Sequence, residues 1–287
     1  MSTHENLKTL LDLEAIEVNL FRGFTQDKNQ KRIFGGQVIA QALMAAYRTV
    51  EDRVCHSLHC YFIRPGDPSV PILFEVERAR DGKSFATRRV AAIQHGEQIF
   101  NLAASFQTPE DGFEHQSPMP SAPEPMSVPD DYEERKRLAA NLPPRAASAI
   151  LRPMAIELRS VAPQSFTQPK PMPADQQVWM RASDPLNDDI AYNQAVLAYA
   201  SDMSLLGTSM RPHGIVWTTP GFQSASLDHA IWFHRHSRLD AWHLFAQDSP
   251  TAQGARGFIR GEIYSADGVL VASVAQEGLI RYRPPEM

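Results

Sequence analysis

The sequence predicts an α+β fold made of two similar units, each with one apolar helix and the antiparallel strands that cover it. Three observations lead to this prediction: the same order of helix, strand and late strand pair occurs twice, a proline-rich segment separates the two occurrences, and the second helix is apolar on nearly every side. The chain has 287 residues, which exceeds the usual size of one domain, so a duplicated unit is the natural expectation.

The first unit begins with a helix that is rich in glycine and alanine, Phe34–Met44. A strand follows at Ser57–Arg64, and a late strand pair, Phe85–Ile93 and Gln98–Ser105, is joined around Gly96. Small residues let the backbones of packed elements approach closely, so we expect a neighbouring element to cover this helix.

The second unit repeats this order. Its helix is predicted at Tyr192–Leu206, its strand at Ser226–Arg235 and its late pair at Gly257–Tyr264 and Val269–Gln276. The Asp-Gly pair at 267–268 is a strong hairpin signal. Because this helix is apolar almost all round, it is predicted to be buried by the sheet, and the recurring order indicates a duplication.

A proline-rich segment lies between the two units. Of the 22 prolines, 13 fall between Pro109 and Pro173, and only a short charged helical stretch near Asp131–Ala140 interrupts them. Such a composition is typical of a linker. We therefore predict three parts: an N-terminal repeat at 1–110, a linker at 111–174 and a C-terminal repeat at 175–287.

Charge and composition disfavour several classes of protein. The formal net charge of -5 at pH 7 disfavours nucleic-acid binding, which draws on an excess of basic residues. No run of about 18 apolar residues is present, so membrane insertion is not expected. The polar start, Met1–Leu7, lacks the features of a secretory signal and the last residues are not a peroxisomal address, so the cytoplasm is the expected location. The two cysteines, Cys55 and Cys60, are too few for a disulfide framework.

Several motifs resemble the acyl-CoA thioesterase II family. They are Phe34-Gly-Gly-Gln-Val38, Arg64-Pro-Gly66, Asp81-Gly-Lys-Ser-Phe85 and Leu227-Asp-His-Ala-Ile-Trp-Phe-His-Arg235, and with the two-repeat layout the resemblance covers nearly the whole chain. The resemblance implies a double hot-dog fold, in which each antiparallel sheet wraps around a central helix. It also implies an enzyme that hydrolyses medium- to long-chain fatty acyl-CoA to free fatty acid and CoA without a metal or organic cofactor.

The implied fold leaves sheet edges and apolar faces at each repeat. Pairing covers such surfaces, so we expect the two repeats to form an internal pseudo-dimer and the chain to associate further as a homodimer or homotetramer. The expected partners are therefore the acyl-CoA substrate and further copies of the chain.

Asp202 is the most informative residue, because it is a lone carboxylate in a helix whose other positions are mostly apolar. Burial of an unpaired ion costs roughly several kcal/mol, so the carboxylate must be hydrogen-bonded, lie in a cavity or have a shifted pKa. A general base needs such a shift. The alternative is an ordinary aspartate near a helix end that binds backbone amides or water.

Gln276 and Ser226 complete the predicted site. Gln276 shares the apolar face of its strand, where an amide offers both a donor and an acceptor; a core glutamine that binds backbone groups is the alternative. Ser226 begins a strand and could equally be a turn residue. In the family that the chain resembles this position is usually Thr, so the hydroxyl is kept and a methyl group is lost.

These three residues predict a mechanism without a covalent intermediate. Asp202 accepts a proton from a water molecule that Ser226 and Gln276 hold, and this water attacks the thioester carbonyl. Backbone N–H groups at Gly35 and Gly36 of the other repeat are expected to stabilise the oxyanion.

Only the second repeat is expected to be active. Aligning the late strand pairs on Gly96 and Gly268 places Ala104 opposite Gln276, so the first repeat lacks the amide. The first repeat is therefore expected to supply a pocket wall and a pairing surface.

Two motifs of other enzyme classes are incomplete. Gly82-Lys-Ser84 ends like a phosphate-binding loop, but Glu77 stands where the first glycine should lie. The same stretch lacks the last glycine of a nucleophile elbow, which is Ala86 here. Ser84 is therefore not expected to be a nucleophile.

Metal binding is also disfavoured. Cys55, His56, His59 and Cys60 are poor zinc ligands, because alternation along a strand sends one cysteine and one histidine to each face. Five basic residues could meet the phosphates of CoA or form a solvated strand face, and the sequence leaves both interpretations open: Arg78, Arg80, Lys83, Arg88 and Arg89.

Two other functions remain open at this point. A hot-dog hydratase or dehydratase of acyl thioesters is expected to carry a histidine beside its carboxylate on or near the central helix, and none lies between Asp184 and Leu206. A non-catalytic acyl-CoA-binding module would bind its ligand tightly without turnover.

Overall fold

The computed structural model describes residues 6–26, 28, 30–140, 147, 151 and 154–284. Five α-helices can be followed within these ranges, and none of them is long and apolar enough to cross a membrane. They are α1 (Leu7–Leu11), α2 (Gly35–Tyr47), α3 (Asp131–Ala139), α4 (Ile190–Ser201) and α5 (Leu205–Met210).

The same ranges contain thirteen β-strands. Those of the first half are β1 (Glu14–Glu17), β2 (Leu20–Gly23), β3 (Val54–Phe62), β4 (Ile72–Asp81), β5 (Phe85–Gln94) and β6 (Glu97–Gln107). Those of the second half are β7 (Ile156–Ser160), β8 (Asp175–Ala182), β9 (Phe222–Ser226), β10 (Asp228–Phe233), β11 (His243–Gln253), β12 (Arg256–Ser265) and β13 (Leu270–Tyr282).

All these strands belong to one antiparallel sheet. Its order is β1-β2-β4-β5-β6-β3-β10-β13-β12-β11-β8-β7, and β9 pairs with β13. The two halves meet where β3 pairs with β10, with His59 opposite Ala230. Outward from this junction the strands follow in the same relative order on both sides, so the sheet consists of two repeats. The predicted α+β class is confirmed.

Helices α2 and α4 form the core around which the sheet curves. Ten of the thirteen residues of α2 and nine of the twelve residues of α4 are buried, which explains why both helices are apolar on most sides. The helices run antiparallel, so that Phe34 lies edge-to-face against Tyr199 with the ring centroids 5.1 Å apart. A Cβ atom at Gly36 would lie 2.4 Å from the Tyr199 carbonyl oxygen, so this close approach requires glycine.

The second central helix ends earlier than predicted. It ends at Ser201, Asp202 occupies its C-cap, and α5 follows after a short turn. The prediction of one continuous helix up to Leu206 is therefore wrong. Side chains from the sheet favour the break, because Gln247 Nε2 donates to the hydroxyl of Ser204 at 2.6 Å and holds the turn.

The segment 111–174 contains more regular structure than a plain linker. The charged stretch forms α3 as predicted, and β7 pairs with β8 at the outer edge of the second half. Asp131 joins the helix to this edge, because its carboxylate accepts the backbone N–H and the hydroxyl of Ser160 at 2.8 and 2.7 Å. Part of the segment thus adds to the second half, whereas the boundaries of the three parts stay a prediction.

Strand β3 departs from the expected alternation. A β-bulge between Cys55 and Ser57 shifts its register against β6. Cys55 and Cys60 are therefore both buried, whereas His56 is half-buried and His59 is exposed. The predicted distribution of these four residues over the two faces is wrong. Among the residues with described positions, no group of three or more His, Cys, Asp or Glu side chains could hold a metal ion.

Candidate active site

The three residues predicted from the sequence lie together in the second half. Gln276 Nε2 donates to Asp202 Oδ1 at 2.6 Å, and the Ser226 hydroxyl donates to the same oxygen at 3.5 Å, the long limit of a hydrogen bond. Asp202 comes from the turn after α4, Ser226 from the end of β9 and Gln276 from β13. The fold thus brings Asp202 together with residues that are 24 and 74 positions away in the chain.

Strand pairing explains why Ser226 and Gln276 share one face. Ser226 pairs with Gly278, and Gln276 lies two residues before Gly278, so both side chains point to the same side of the sheet. Gln276 is fully buried. A Cβ atom at Gly278 would lie 2.3 Å from a methyl carbon of Leu206, so glycine lets α5 rest directly on β13 and brings the Asp202 turn with it.

The start of α2, from the first half, faces the carboxylate of Asp202. A Cβ atom at Gly35 would lie 2.6 Å from Asp202 Oδ2, so a side chain at this position would displace the carboxylate. The backbone N–H of Gly36 donates to the carboxylate, and the positive end of the α2 dipole also favours a negative charge here. This N–H, expected from the sequence to stabilise an oxyanion, is instead engaged by Asp202.

Opposing effects set the pKa of Asp202. Burial raises the pKa from its ordinary value of 3.8 to about 6. Hydrogen bonds from Gln276, Gly36 and Ser226 and the positive charge of Arg32 lower the pKa, but they do not cancel the effect of burial. Such a carboxylate is mostly ionised at neutral pH and is still basic enough to accept a proton.

Gln276 uses only one side of its amide. Its Nε2 is bound to Asp202, whereas its Oε1 is buried without a hydrogen-bond partner among the described residues. A buried acceptor without a donor costs about 1–3 kcal/mol. This oxygen is therefore suited to accept a hydrogen bond from a bound water molecule or substrate group, directly beside a base.

Family models and a close relative decide to which family the chain belongs. The family model described as acyl-CoA thioesterase matches residues 155–279, and the model described as acyl-CoA thioesterase N-terminal domain matches residues 25–107. Acyl-CoA thioesterase 2 of Haemophilus influenzae is 41% identical over 278 residues, which cover 96% of this chain and 97% of the relative. The chain belongs to the acyl-CoA thioesterase family. The family resemblance predicted from the motifs is confirmed.

Solved structures show the same architecture as this thioesterase. An acyl-CoA thioesterase II from Mycobacterium marinum superposes with a TM-score of 0.80 at 43% identity, covering 98% of this chain and 100% of that one. A hot-dog protein of unknown function from Alicyclobacillus acidocaldarius, 18% identical, gives a TM-score of 0.74 and covers 97% and 98% of the two chains, which shows the fold alone. The double hot-dog prediction is confirmed. Family membership makes the chain a thioester hydrolase, so the hydratase and binding-module alternatives are not retained.

The end of α2 in the first half of the thioesterase has a different set of residues from the end of α4. Tyr47, the last residue of α2, donates its hydroxyl to Gln194 Oε1 and accepts the backbone N–H of Cys55 at 2.8 Å. Its ring lies edge-to-face against Phe106 at 5.0 Å between centroids, and Ala104 is buried nearby on the same strand. A phenol and apolar groups thus replace the carboxylate and the amide. That only the second half is active stays a prediction.

Arg88 is a structural residue of the thioesterase rather than a free cation. It is only 1% exposed and donates to Asp81 Oδ1 at 2.5 Å, to the Thr49 hydroxyl at 2.8 Å and to the Arg80 carbonyl at 2.9 Å. A buried guanidinium with several acceptors cannot turn towards a phosphate without leaving them unpaired. The interpretation that Arg88 meets the phosphates of CoA is therefore wrong.

Sequence reasoning missed a polar network that supports the Asp202 turn. Gln176 Nε2 donates to Gln247 Oε1 at 2.9 Å and to the Thr208 hydroxyl at 2.8 Å, while Gln247 binds Ser204 as described above. Gln247 is buried on the same face of β11 as Phe245. An amide on the apolar face of a strand, the pattern used to find Gln276, could have revealed it.

Proposed function

We propose that the chain hydrolyses medium- to long-chain fatty acyl-CoA thioesters to free fatty acid and CoA, with Asp202 as general base and Ser226 and Gln276 holding the attacking water. One observation carries this proposal: a carboxylate with a pKa of about 6 lies 2.6 Å from the nitrogen of a buried amide whose oxygen has no hydrogen-bond partner among the described residues. The chain-length range rests on the family resemblance.

The proposed reaction needs only one base. The oxygen of the water attacks the thioester carbonyl carbon as its proton passes to Asp202, which forms a tetrahedral oxyanion. The oxyanion then collapses, the carbon–sulfur bond breaks, and the sulfur of CoA leaves with the proton that Asp202 returns. A positioned general base contributes about 100- to 10,000-fold to the rate.

The two neighbours of Asp202 have separate tasks in this scheme. Gln276 Oε1 accepts the second hydrogen of the water, while its Nε2 keeps the carboxylate oriented. The Ser226 hydroxyl favours the ionised base through its long bond of 3.5 Å to the carboxylate, and in the proposed reaction it donates to the oxygen of the water instead. Together the two residues hold the water in a fixed position relative to the thioester carbonyl, so that its attack does not depend on a random encounter in solution.

The test is release of free thiol from decanoyl-CoA and palmitoyl-CoA by the wild-type chain and by Asp202→Asn. We expect turnover of both substrates and a fall in kcat of about 100-fold or more in the variant, because asparagine cannot accept the proton. Near-normal turnover by Asp202→Asn would reject the assignment of the base. Turnover confined to short acyl chains would reject the proposed substrate range.

Folding of the variant is checked by its melting temperature. Because burial raises the pKa of Asp202 above its ordinary value, the ionised side chain destabilises the fold as the pH rises through about 6. At pH 7 the neutral Asp202→Asn variant should therefore melt no lower than wild type. A lost activity with a lowered Tm would instead indicate a folding defect.

We also infer that the chain associates into a homodimer or homotetramer and acts in the cytoplasm. The outer face of the sheet supports the first inference, because Tyr61 and Trp232, 61% and 37% exposed, flank the β3–β10 junction with His59 packed against the Trp232 ring. Light scattering at the mass of a single chain, 32.1 kDa, would contradict this association. The cytoplasmic location stays a prediction.

A further inference from the structure

The chain changes its hydrogen-bonding partner directly beside the proposed site, where β9 gives way to β10. Leu227, the one residue between these strands, donates its N–H to the Glu277 carbonyl on β13 at 2.9 Å. Its own carbonyl turns the other way and accepts the N–H of Phe62 on β3 at 2.9 Å. The Leu227 carbonyl oxygen, which would otherwise accept an N–H of β13, therefore accepts one from the first half of the molecule.

The side chain of Asp228 supplies the missing hydrogen-bond acceptor for β13. Its Oδ1 accepts the backbone N–H of Glu277 at 2.6 Å. Without this acceptor the N–H would be left unpaired inside the sheet, at a cost of about 1–3 kcal/mol. Burial raises the pKa of Asp228, the Glu277 N–H lowers it, and the Glu277 carboxylate raises it, so this bond holds a carboxylate at a place that otherwise disfavours charge.

The bond joins β13, which carries Gln276, to the first residue of β10, just after the strand that carries Ser226. Glu277 directly follows Gln276 on β13, and Asp228 lies two residues after Ser226. Where β9 ends, the backbone ladder between the strands is interrupted, so the carboxylate bridge keeps Ser226 and Gln276 in register. A change of even 1 Å in such a distance can cost about 100-fold in rate.

We infer that Asp228 is a positioning residue of the active site, an inference that rests on the proposed function. It acts through Gln276 and Ser226, and the property required of it is an oxygen acceptor at Oδ1 rather than a titrating group. Asparagine at this position keeps the acceptor, whereas alanine removes it.

The experiment compares Asp228→Ala, Asp228→Asn and a matched control, Asp131→Ala, with decanoyl-CoA as substrate. Asp131 is suitable because its carboxylate also accepts a strand N–H, that of Ser160 at 2.8 Å, but at the outer edge of the sheet. We expect kcat of Asp228→Ala to fall about tenfold or more with KM changed by less than about threefold. Asp228→Asn should keep at least about half of the wild-type kcat, and Asp131→Ala should lower only the Tm.

The pH profile separates positioning from general destabilisation. A displaced Gln276 amide stabilises the ionised form of Asp202 less, which raises the pKa of Asp202. The acid limb of the kcat/KM profile of Asp228→Ala should therefore move to higher pH. If Asp228→Ala does not fold, Asp228→Ser takes its place, because the shorter serine side chain does not reach the N–H of Glu277. A wild-type kcat and pH profile in the folded variant, an equal loss in Asp131→Ala, or loss of activity in Asp228→Asn would each overturn the inference.

The same assay distinguishes this inference from the proposed function. Turnover by wild type and its loss in Asp202→Asn, together with normal turnover by Asp228→Ala, would overturn the inference and leave the proposed function standing. Absence of turnover by the wild-type chain would overturn both.

Discussion

Asp202 combines burial with a full set of hydrogen-bond partners, and this combination predicts a pH dependence at the scale of one residue. Its pKa is raised to about 6, and the protonated carboxyl cannot accept a proton from water. We expect kcat/KM to fall about tenfold per pH unit below that pKa. The rate is followed by loss of thioester absorbance, which needs no thiol dye. An unchanged rate down to about pH 5 would contradict the assigned base.

Gln276 provides a matched test of the same pKa. Its Nε2 donates to Asp202 and lowers the pKa of that carboxyl, so Gln276→Ala should move the acid limb to higher pH as well as reduce kcat by about 100-fold. A reduced kcat with the acid limb unmoved would indicate that Gln276 acts on the substrate alone.

A substitution at Ser226 is expected to raise the activity. The family that the chain resembles usually has Thr here, and the hydroxyl of Ser226 lies 3.5 Å from Asp202 Oδ1, a long hydrogen bond. A β-branched side chain has fewer rotamers, so Ser226→Thr should hold the hydroxyl better and raise kcat about two- to fivefold. Ser224→Thr, two residues away on the same strand, is the control and should leave kcat unchanged. A lower kcat in Ser226→Thr would argue against a role for rotamer control.

At the scale of elements, the break between α4 and α5 decides where the base lies. A helix continuing through Asp202 would direct the carboxylate by helical periodicity alone, whereas the observed turn is anchored to the sheet through Gln247 and Ser204 at 2.6 Å. Gly278 then lets α5 rest against β13. The turn, and not the helix itself, therefore presents Asp202 to Gln276.

The anchoring of this turn is testable with Gln247→Leu. The substitution leaves Ser204, Thr208 and Gln176 without a shared partner, so we expect kcat to fall about tenfold and the free energy of unfolding to fall by about 1–3 kcal/mol. Gln41→Leu is the control, because Gln41 is an equally buried glutamine that binds the Leu10 carbonyl at 2.8 Å in the first half. Equal losses of kcat in both variants would show that destabilisation, not the turn, is responsible.

At the scale of the whole molecule, the two halves have the same strand order but different chemistry. The start of α2 from the first half reaches Asp202 in the second, so the proposed site needs both halves. At the end of α2 in the first half, Tyr47 binds Gln194 and the N–H of Cys55, so these polar groups are paired. The two halves therefore share their packing, but only the second half has the Asp202 carboxylate at the end of its central helix.

This asymmetry predicts the number of substrate sites. Calorimetric titration of the inactive Asp202→Asn variant with decanoyl-CoA should give one binding event per chain, because the described residues contain one place where Gln276 and the close approach of Gly35 meet at position 202. Two equivalent sites per chain would show that the first half also binds the thioester, and would contradict a purely structural role for it.

Much of the site and of the fold could be predicted because the information is local. Alternation along β13 predicted an apolar face for Gln276, and a lone acidic residue in an apolar stretch drew attention to Asp202, while the family resemblance supplied their catalytic roles. Duplication of the helix and strand order predicted the two repeats. Neither interpretation left open for Arg88, a phosphate contact or a solvated strand face, fits its burial, which depends on contacts with Thr49 and Asp81 elsewhere in the chain.

The residues along the chain were enough to predict the α+β class and the two repeats, since periodicity and composition act along a few neighbouring positions, and the family resemblance pointed to Asp202, Ser226 and Gln276 as candidates. Four features could be established only from the packed fold: the end of α4, the bulge in β3, the strand within the proline-rich segment and the contact of α2 with the carboxylate. These features depend on hydrogen bonds and close approaches between residues that are distant in the chain. No local pattern encodes such distances, because they are set when the two halves pack into one sheet.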